Sequence, residues 1–200
     1  MKLYGTTTSP FVRRVRIVAH ELGVPLELVN TATDDGMAQL KLVSPIRKVP
    51  VAVVETETPH ILYDSRAIID WLTASRGWGD LAPPRQPFRA SNLINAIDGV
   101  LDSVIQLFYL RRDGIAIDGT PYATRQLDRA AAIFHWLTTE LSSDKRSFSS
   151  GLGVPEISLC CALDWMDFRK TYDTAKLVEL AALRATHADR PSFAATRPHA

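Results

Sequence analysis

Lys48-Val49-Pro50-Val51-Ala52-Val53-Val54-Glu55, followed shortly by Ile61-Leu62-Tyr63-Asp64-Ser65, decides how the first part of this chain folds. Val51 to Glu55 and Ile61 to Tyr63 read as the two strands of a hairpin. A proline normally ends a strand because it has no N–H for the ladder, yet here it opens one. If the Val49–Pro50 bond is cis, the chain turns sharply there. The N–H and C=O of Val49 then face outward, able to pair with another extended peptide. Asp64-Ser65 supplies a carboxylate and an N-cap hydroxyl at the start of a helix over Ser65 to Ala74. Together these residues imply a site for a small peptide bearing an amine and carboxylates.

Upstream of this stretch, Lys2 to Tyr4 is a short strand and Thr6 to Ser9 a polar loop. Ser9-Pro10 starts a helix, with a hydroxyl cap followed by proline at the first helical position. Phe11, Val15, Val18 and Leu22 share one face, and Arg13, Arg14 and Arg16 lie off it. Gly23 closes the helix, and Leu26 to Val29 is a second strand. Thr31 to Ser44 reads as irregular, with one helical turn around Met37 to Leu42. The order is therefore βαβ, a loop, then ββα.

Gly77 to Asp80 and Pro83 to Pro87 mark a linker rich in glycine and proline. Beyond it the pattern is helical. Leu93, Ile97, Val100, Val104 and Leu107 line a long helix. Pro121 opens another, with Leu127, Ala130, Phe134, Leu137 and Leu141 on one face. Ser142 to Gly153 reads as a flexible loop. Pro155 to Phe168 forms a nearly continuous apolar helix, and Lys176 to His187 a last one before a proline-bearing tail. The division is an α/β domain at 1–77, a linker at 78–87 and an all-α domain at 88–200.

A chain of 200 residues with 46% hydrophobic content can bury a sizeable core. A net charge of +1 with interspersed signs argues against a nucleic-acid protein. No apolar run reaches the roughly 18–20 residues of a membrane span. No signal peptide is visible after Met1-Lys2. Cys160 and Cys161 are adjacent in a helical pattern, pointing in different directions, so they do not pair with each other. The five histidines and two cysteines show no metal-ligand spacing. The expectation is a soluble, reduced, cytoplasmic protein without a metal site.

Thr8-Ser9-Pro10-Phe11-Val12-Arg13-Arg14-Val15-Arg16, Lys48-Val49-Pro50-Val51 and Asp64-Ser65-Arg66-Ala67-Ile68-Ile69, in that order, resemble the glutathione S-transferase family. The likeness extends to Ile157–Arg169, which looks like its central buried helix, and is closest to small bacterial members with a Thr-Ser-Pro-Phe start. It implies a thioredoxin-like α/β domain followed by a helical one, usually as a homodimer. The implied activity is detoxification chemistry, in which the thiolate of glutathione, a cosubstrate, is added to a small hydrophobic electrophile.

By position, Ser9 matches the serine that hydrogen-bonds the glutathione sulfur. Val49 matches the residue whose backbone pairs with the glutathione cysteine, with Pro50 as the cis proline. Asp64 and Ser65 match the pair that holds the γ-glutamyl carboxylate and amine, and Lys48 is a candidate for the glycyl carboxylate. Phe11, Phe108, Tyr109, Arg111 and Arg112 are candidates for the second substrate. Asp98 and Asp102 share a helix face, where an acid in related proteins reaches the partner subunit's site.

Plainer readings stand beside these. Ser9 and Asp64-Ser65 are also ordinary helix caps, Pro50 an ordinary trans proline, and Lys48 a solvated lysine. Other glutathione chemistry, such as peroxidase or dehalogenase activity, and a non-catalytic binding scaffold remain open. A serine at position 9, rather than cysteine, argues against a mixed-disulfide route. Ser44 and Arg47 stand where the family often has Asn and Gly. Gly153 and Glu156 stand where it often has a Ser/Thr and Asp capping box, an expected weakening of that helix start.

Overall fold

The short apolar runs of the first half assemble into one sheet. In the computed structural model, which describes residues 1–55, 59–141 and 147–199, the strands are β1 (Lys2–Gly5), β2 (Glu27–Asn30), β3 (Val51–Val54) and β4 (His60–Leu62). Their order is β2-β1-β3-β4. β1 runs parallel to β2 and antiparallel to β3, and β3 runs antiparallel to β4. Tyr4 stands opposite Val51, and Ala52 opposite Leu62. The ends of β1 and β4 and the beginning of β3 therefore share one end of the sheet. The turn between β3 and β4 falls partly on residues 56–58, outside the described residues, as does part of the loop read at Ser142 to Gly153.

Three helices belong to this sheet: α1 (Pro10–Glu21), α2 (Asp34–Val43) and α3 (Ser65–Arg76). α1 and α3 pack on each other. Gly5 permits α1 to come close to β1, because a Cβ there would lie 2.3 Å from a methyl of Val12. α2 corrects the expectation of a single turn around Met37 to Leu42. Thr33 caps it, its side chain accepting from the Gly36 N–H at 3.1 Å, with Asp34 and Asp35 in the first turn. Leu40 joins Tyr4 and Val51 in a buried cluster against which Met37 and Val43 pack. Leu42, 86% exposed, had blurred that stripe. Gly36 is required by close approach, since a Cβ would stand 2.0 Å from the Asn30 carbonyl oxygen.

The chain divides into two compact units at Pro83/Pro84, inside the stretch read as a linker. The second unit, Pro84–His187, contains α4 (Pro87–Arg112), α5 (Pro121–Thr139), α6 (Val154–Arg169), a 3-10 turn at Thr174–Lys176 and α7 (Val178–His187). α4 packs on α5 and α6, and α7 packs on α6. Among the described residues α4 alone is long and apolar enough to cross a membrane. Polar residues interrupt it, which is why no continuous run was visible, and its Leu93, Ile97, Val100, Val104 and Leu107 are buried. Leu127, expected on the buried face of α5, is exposed, and Ala123 and Gln126 are buried there beside the expected Ala130, Phe134 and Leu137.

From Ala188 onward the described tail belongs to the first unit, not to the helical one as the sequence division had it. Its short helix α8 (Pro191–Ala194) packs on α1. For Arg13, this explains a second departure. Arg13 and Arg14, placed off the apolar face of α1, are each 2% exposed. Arg13 donates to the Phe193 carbonyl (3.3 Å) and the Thr196 hydroxyl (3.4 Å), and Arg16 donates to the Ala195 carbonyl (3.4 Å). These acceptors lie at the C-terminal end of α8, where exposed carbonyls favour cations. Arg190 Nε and Nη2 grip Glu21 at 3.1 and 2.7 Å, and Ser192 donates to the same carboxylate.

The start of α6 is a third departure. Glu156 was read as part of a weakened cap, yet it is fully buried and saturated. It accepts from the N–H groups of Gly153 (3.0 Å), Phe148 (2.8 Å) and Ser149 (3.0 Å), and from the Ser149 hydroxyl (2.9 Å). The long glutamate reaches the N-cap N–H and the preceding loop together, supplying the acid's half of a capping box whose serine half Gly153 lacks.

Candidate functional site

Three chain segments meet the same end of the sheet, as the strand register dictates: the loop after β1, the proline before β3, and the junction of β4 with α3. Each carries hydrogen-bonding capacity that the fold leaves unused.

Ser9 caps α1 in extended conformation, its Oγ accepting from the Val12 N–H at 3.3 Å. Its own N–H donates to the Thr6 carbonyl at 3.2 Å, which shapes the loop. A hydroxyl has lone pairs to accept with and one proton to donate. Capping uses a lone pair. Among the described residues none accepts the Ser9 proton, so capping and donation to a ligand are compatible.

The Val49–Pro50 bond is cis, as the cis reading of the strand-opening proline required. Val49 packs partly buried beside Tyr4, Leu40 and Val51. No described residue hydrogen-bonds its N–H or C=O. Arg47, just before, has φ 50°, the left-handed region where the family often has glycine. Lys48 is exposed and has no ion-pair partner among the described residues.

At the third segment the capping roles differ from the expectation. Asp64, not Ser65, is the N-cap of α3; its Oδ1 accepts from the Arg66 N–H at 2.8 Å. The Tyr63–Asp64 bond is also cis. Asp64 is exposed, and its second carboxylate oxygen has no partner among the described residues, leaving it available to an ammonium group. Ser65 is the first helical residue and is buried. Its hydroxyl accepts from Arg14 Nε (2.9 Å) and Nη2 (2.6 Å). Arg14 thus ties the starts of α1 and α3 together, and no pattern in the sequence marked it. Asp70, one turn after Arg66, has its carboxyl pushed up by burial, with Arg66 opposing and Asp64 adding to the rise.

The residues expected to meet a second substrate are engaged in their own units. In the first, Phe11 lies under the Arg14 guanidinium at 5.0 Å. In the second, Phe108 meets Trp165 edge-on at 5.6 Å, and Arg169 lies over its ring at 5.2 Å. Arg111 pairs with Asp118 and Arg112 with Asp113. Asp98 and Asp102 stand one turn apart on α4. Among the described residues no cluster of His, Cys, Asp and Glu could hold a metal.

A mixed four-stranded sheet with a cis proline opening its third strand, followed by a helical unit, defines a thioredoxin-like N-terminal fold joined to an all-α region. Residues 3–79 match the family model for the glutathione S-transferase N-terminal domain. A GST-like protein of Escherichia coli K12, YibF, itself uncharacterized, is 27% identical over 208 residues, covering 99% of this chain and 98% of its own. A glutathione S-transferase from Methylobacterium radiotolerans, solved in complex with glutathione sulfonate, superposes with a TM-score of 0.84 at 25% identity, over 100% of this chain and 95% of its own. A glutathione transferase family member from Pseudomonas fluorescens Pf-5, solved with bound glutathione, gives 0.77 at 26% identity, over 100% and 99%. Residues 3–79 thus match the glutathione S-transferase N-terminal domain, and the chain along its whole length is similar to GST-like proteins and solved glutathione transferases.

Proposed function

We propose that this protein is a glutathione-dependent transferase that binds the tripeptide at the shared sheet end and adds its sulfur to a small hydrophobic electrophile. The carrying observation is that three adjacent segments keep unused groups of complementary kind: the Ser9 proton, the Val49 backbone pair and one Asp64 oxygen. Val49 pairs with the cysteinyl backbone of an extended peptide. Asp64 receives the γ-glutamyl ammonium, and the N-terminal end of α3 favours the neighbouring carboxylate. Lys48 meets the glycyl carboxylate. The relatives solved with glutathione or its sulfonate support this assignment.

Ser9 acts by donation. A free thiol titrates near 8.5, so only a few per cent is thiolate at neutral pH. The Ser9 O–H, beside the positive end of α1, stabilises the anionic sulfur without losing its own proton. A shift of about two units corresponds to roughly 2.7 kcal/mol. The new sulfur–carbon bond forms as the electrophile expels a leaving group or gains a proton. The homodimer and cytoplasmic setting implied by the family, with Asp98 or Asp102 turned to the partner's site, belong to the same reading. Buried thiols at Cys160 and Cys161 fit a reducing compartment.

Calorimetry and steady-state kinetics test this. Glutathione binds the wild type, and Ser9→Ala still binds it while turnover with a model electrophile falls about a hundredfold. Full activity in Ser9→Ala removes the thiolate role. An absence of heat and of competition at millimolar glutathione makes the protein a scaffold instead.

A further inference from the structure

We propose that Arg14 is a positioning residue for the anionic amino-acid end of the bound peptide, acting through the Ser65 hydroxyl; this rests on the glutathione reading above. Arg14 is buried in the second turn of α1, with its guanidinium over the Phe11 ring. Its Nε and Nη2 converge on one atom, Ser65 Oγ, at 2.9 and 2.6 Å. Two N–H groups occupy the acceptor side of that hydroxyl, so its remaining capacity is one proton to donate. Among the described residues nothing receives it.

Donors on the oxygen strengthen the O–H as a donor in turn, and the strengthening is greater where the donor is a cation. Ser65 stands at the first position of α3, where a helix favours negative charge. A carboxylate arriving at that turn completes a relay from guanidinium to hydroxyl to anion. Ser65 is only 1% exposed, so the group that reaches it is small and approaches along the helix start. The α-carboxylate of a γ-glutamyl residue has that size and charge, and Asp64 beside it takes the amine. Arg14 also stands five residues after Ser9, so one helix sets the position of both the thiol end and the carboxylate end of the ligand.

The test uses two ligands, glutathione and its analogue with 4-aminobutyrate in place of the γ-glutamyl residue, which keeps the amine and lacks the carboxylate. Wild type is expected to prefer glutathione about tenfold, and Arg14→Met and Ser65→Ala each to lose about tenfold on glutathione but little on the analogue. The double variant loses no more than either single one, and the kinetic loss falls on KM rather than kcat. Arg14→Lys, which keeps the charge but not the fork, recovers only part. Equal losses on both ligands, or additive losses, overturn the proposal. If Arg14→Met does not fold, Arg14→Lys and Ser65→Ala decide it with the same ligands. Wild type binding both ligands equally overturns this role alone; wild type binding neither overturns the glutathione reading as well.

Discussion

The starts of α1, α3 and α6 face the same shortage, since the first N–H groups of any helix lack partners within it. At α6 the capping acid is used up internally: a fully buried Glu156 gathers four donors from the N-cap residue Gly153 and the loop before it. At α1 and α3 the caps Ser9 and Asp64 each satisfy one N–H and keep a proton or an oxygen in reserve. Where the capping group is filled by the protein's own donors, a helix start is structural. Where capacity remains at the surface, it is available to a ligand.

Removing the internal anion breaks the comparison most strongly. Glu156→Ala leaves four donors without an acceptor, and unfolding titrations are expected to show a loss of about 3 kcal/mol. Glutathione affinity per folded molecule stays as it was.

The far end of α1 behaves like α6. Glu21 there is an acid at the unfavourable end of a helix dipole, held by Arg190 and Ser192. The hydrogen bond from Arg190, and after it that from Ser192, holds its carboxyl below the usual carboxylate range against the opposing effect of burial. A depressed folded-state pKa contributes stability that is present above the unfolded value, about 4.3. That contribution is lost as pH falls through the folded value. Glu21→Gln is therefore expected to cost about 1.5 kcal/mol at pH 7. The gap from wild type, followed by thermal melts, closes below about pH 4.

Asp64→Asn sharpens the other side of the comparison. Asparagine caps as well as aspartate, so the melting temperature holds. The lost charge lowers glutathione affinity about tenfold by calorimetry. A fall in stability with affinity unchanged would return Asp64 to a purely structural cap. The smallest effect lies at the other end of α6, where Lys170 ends the helix at φ 53° and ψ 42°. Glycine suits that left-handed position, and Lys170→Gly is expected to gain about 0.5 kcal/mol in chemical denaturation.

Caps and turns are local, which is why the Ser9 cap, Pro50 and the hairpin are legible in the chain, while the cap of α3 lies one residue earlier than expected, at Asp64. α2 had local signals too, in Thr33 and the acids after it, but exposed Leu42 confused its apolar stripe. Arg13 and Arg14 were not readable. Their burial depends on partners 180 and 51 residues away, Phe193 and Ser65, which no window of sequence brings together. Glu156 escapes a local reading for a related reason: its type suggests a first-turn acid, while its reach to Phe148 and Ser149 depends on how the loop folds back.

The return of the tail to α1 sets an order of events during synthesis. Arg13 and Arg16 meet the carbonyls of Phe193 and Ala195 only when residues 180 and 179 positions further along have been made. At about 5–20 residues per second, the ribosome exposes the sheet of the first unit many seconds earlier. In that interval the two arginines stay in water, and α1 lacks the segment that later covers them. The unit built on the sheet is thus completed only after the whole helical unit has been translated.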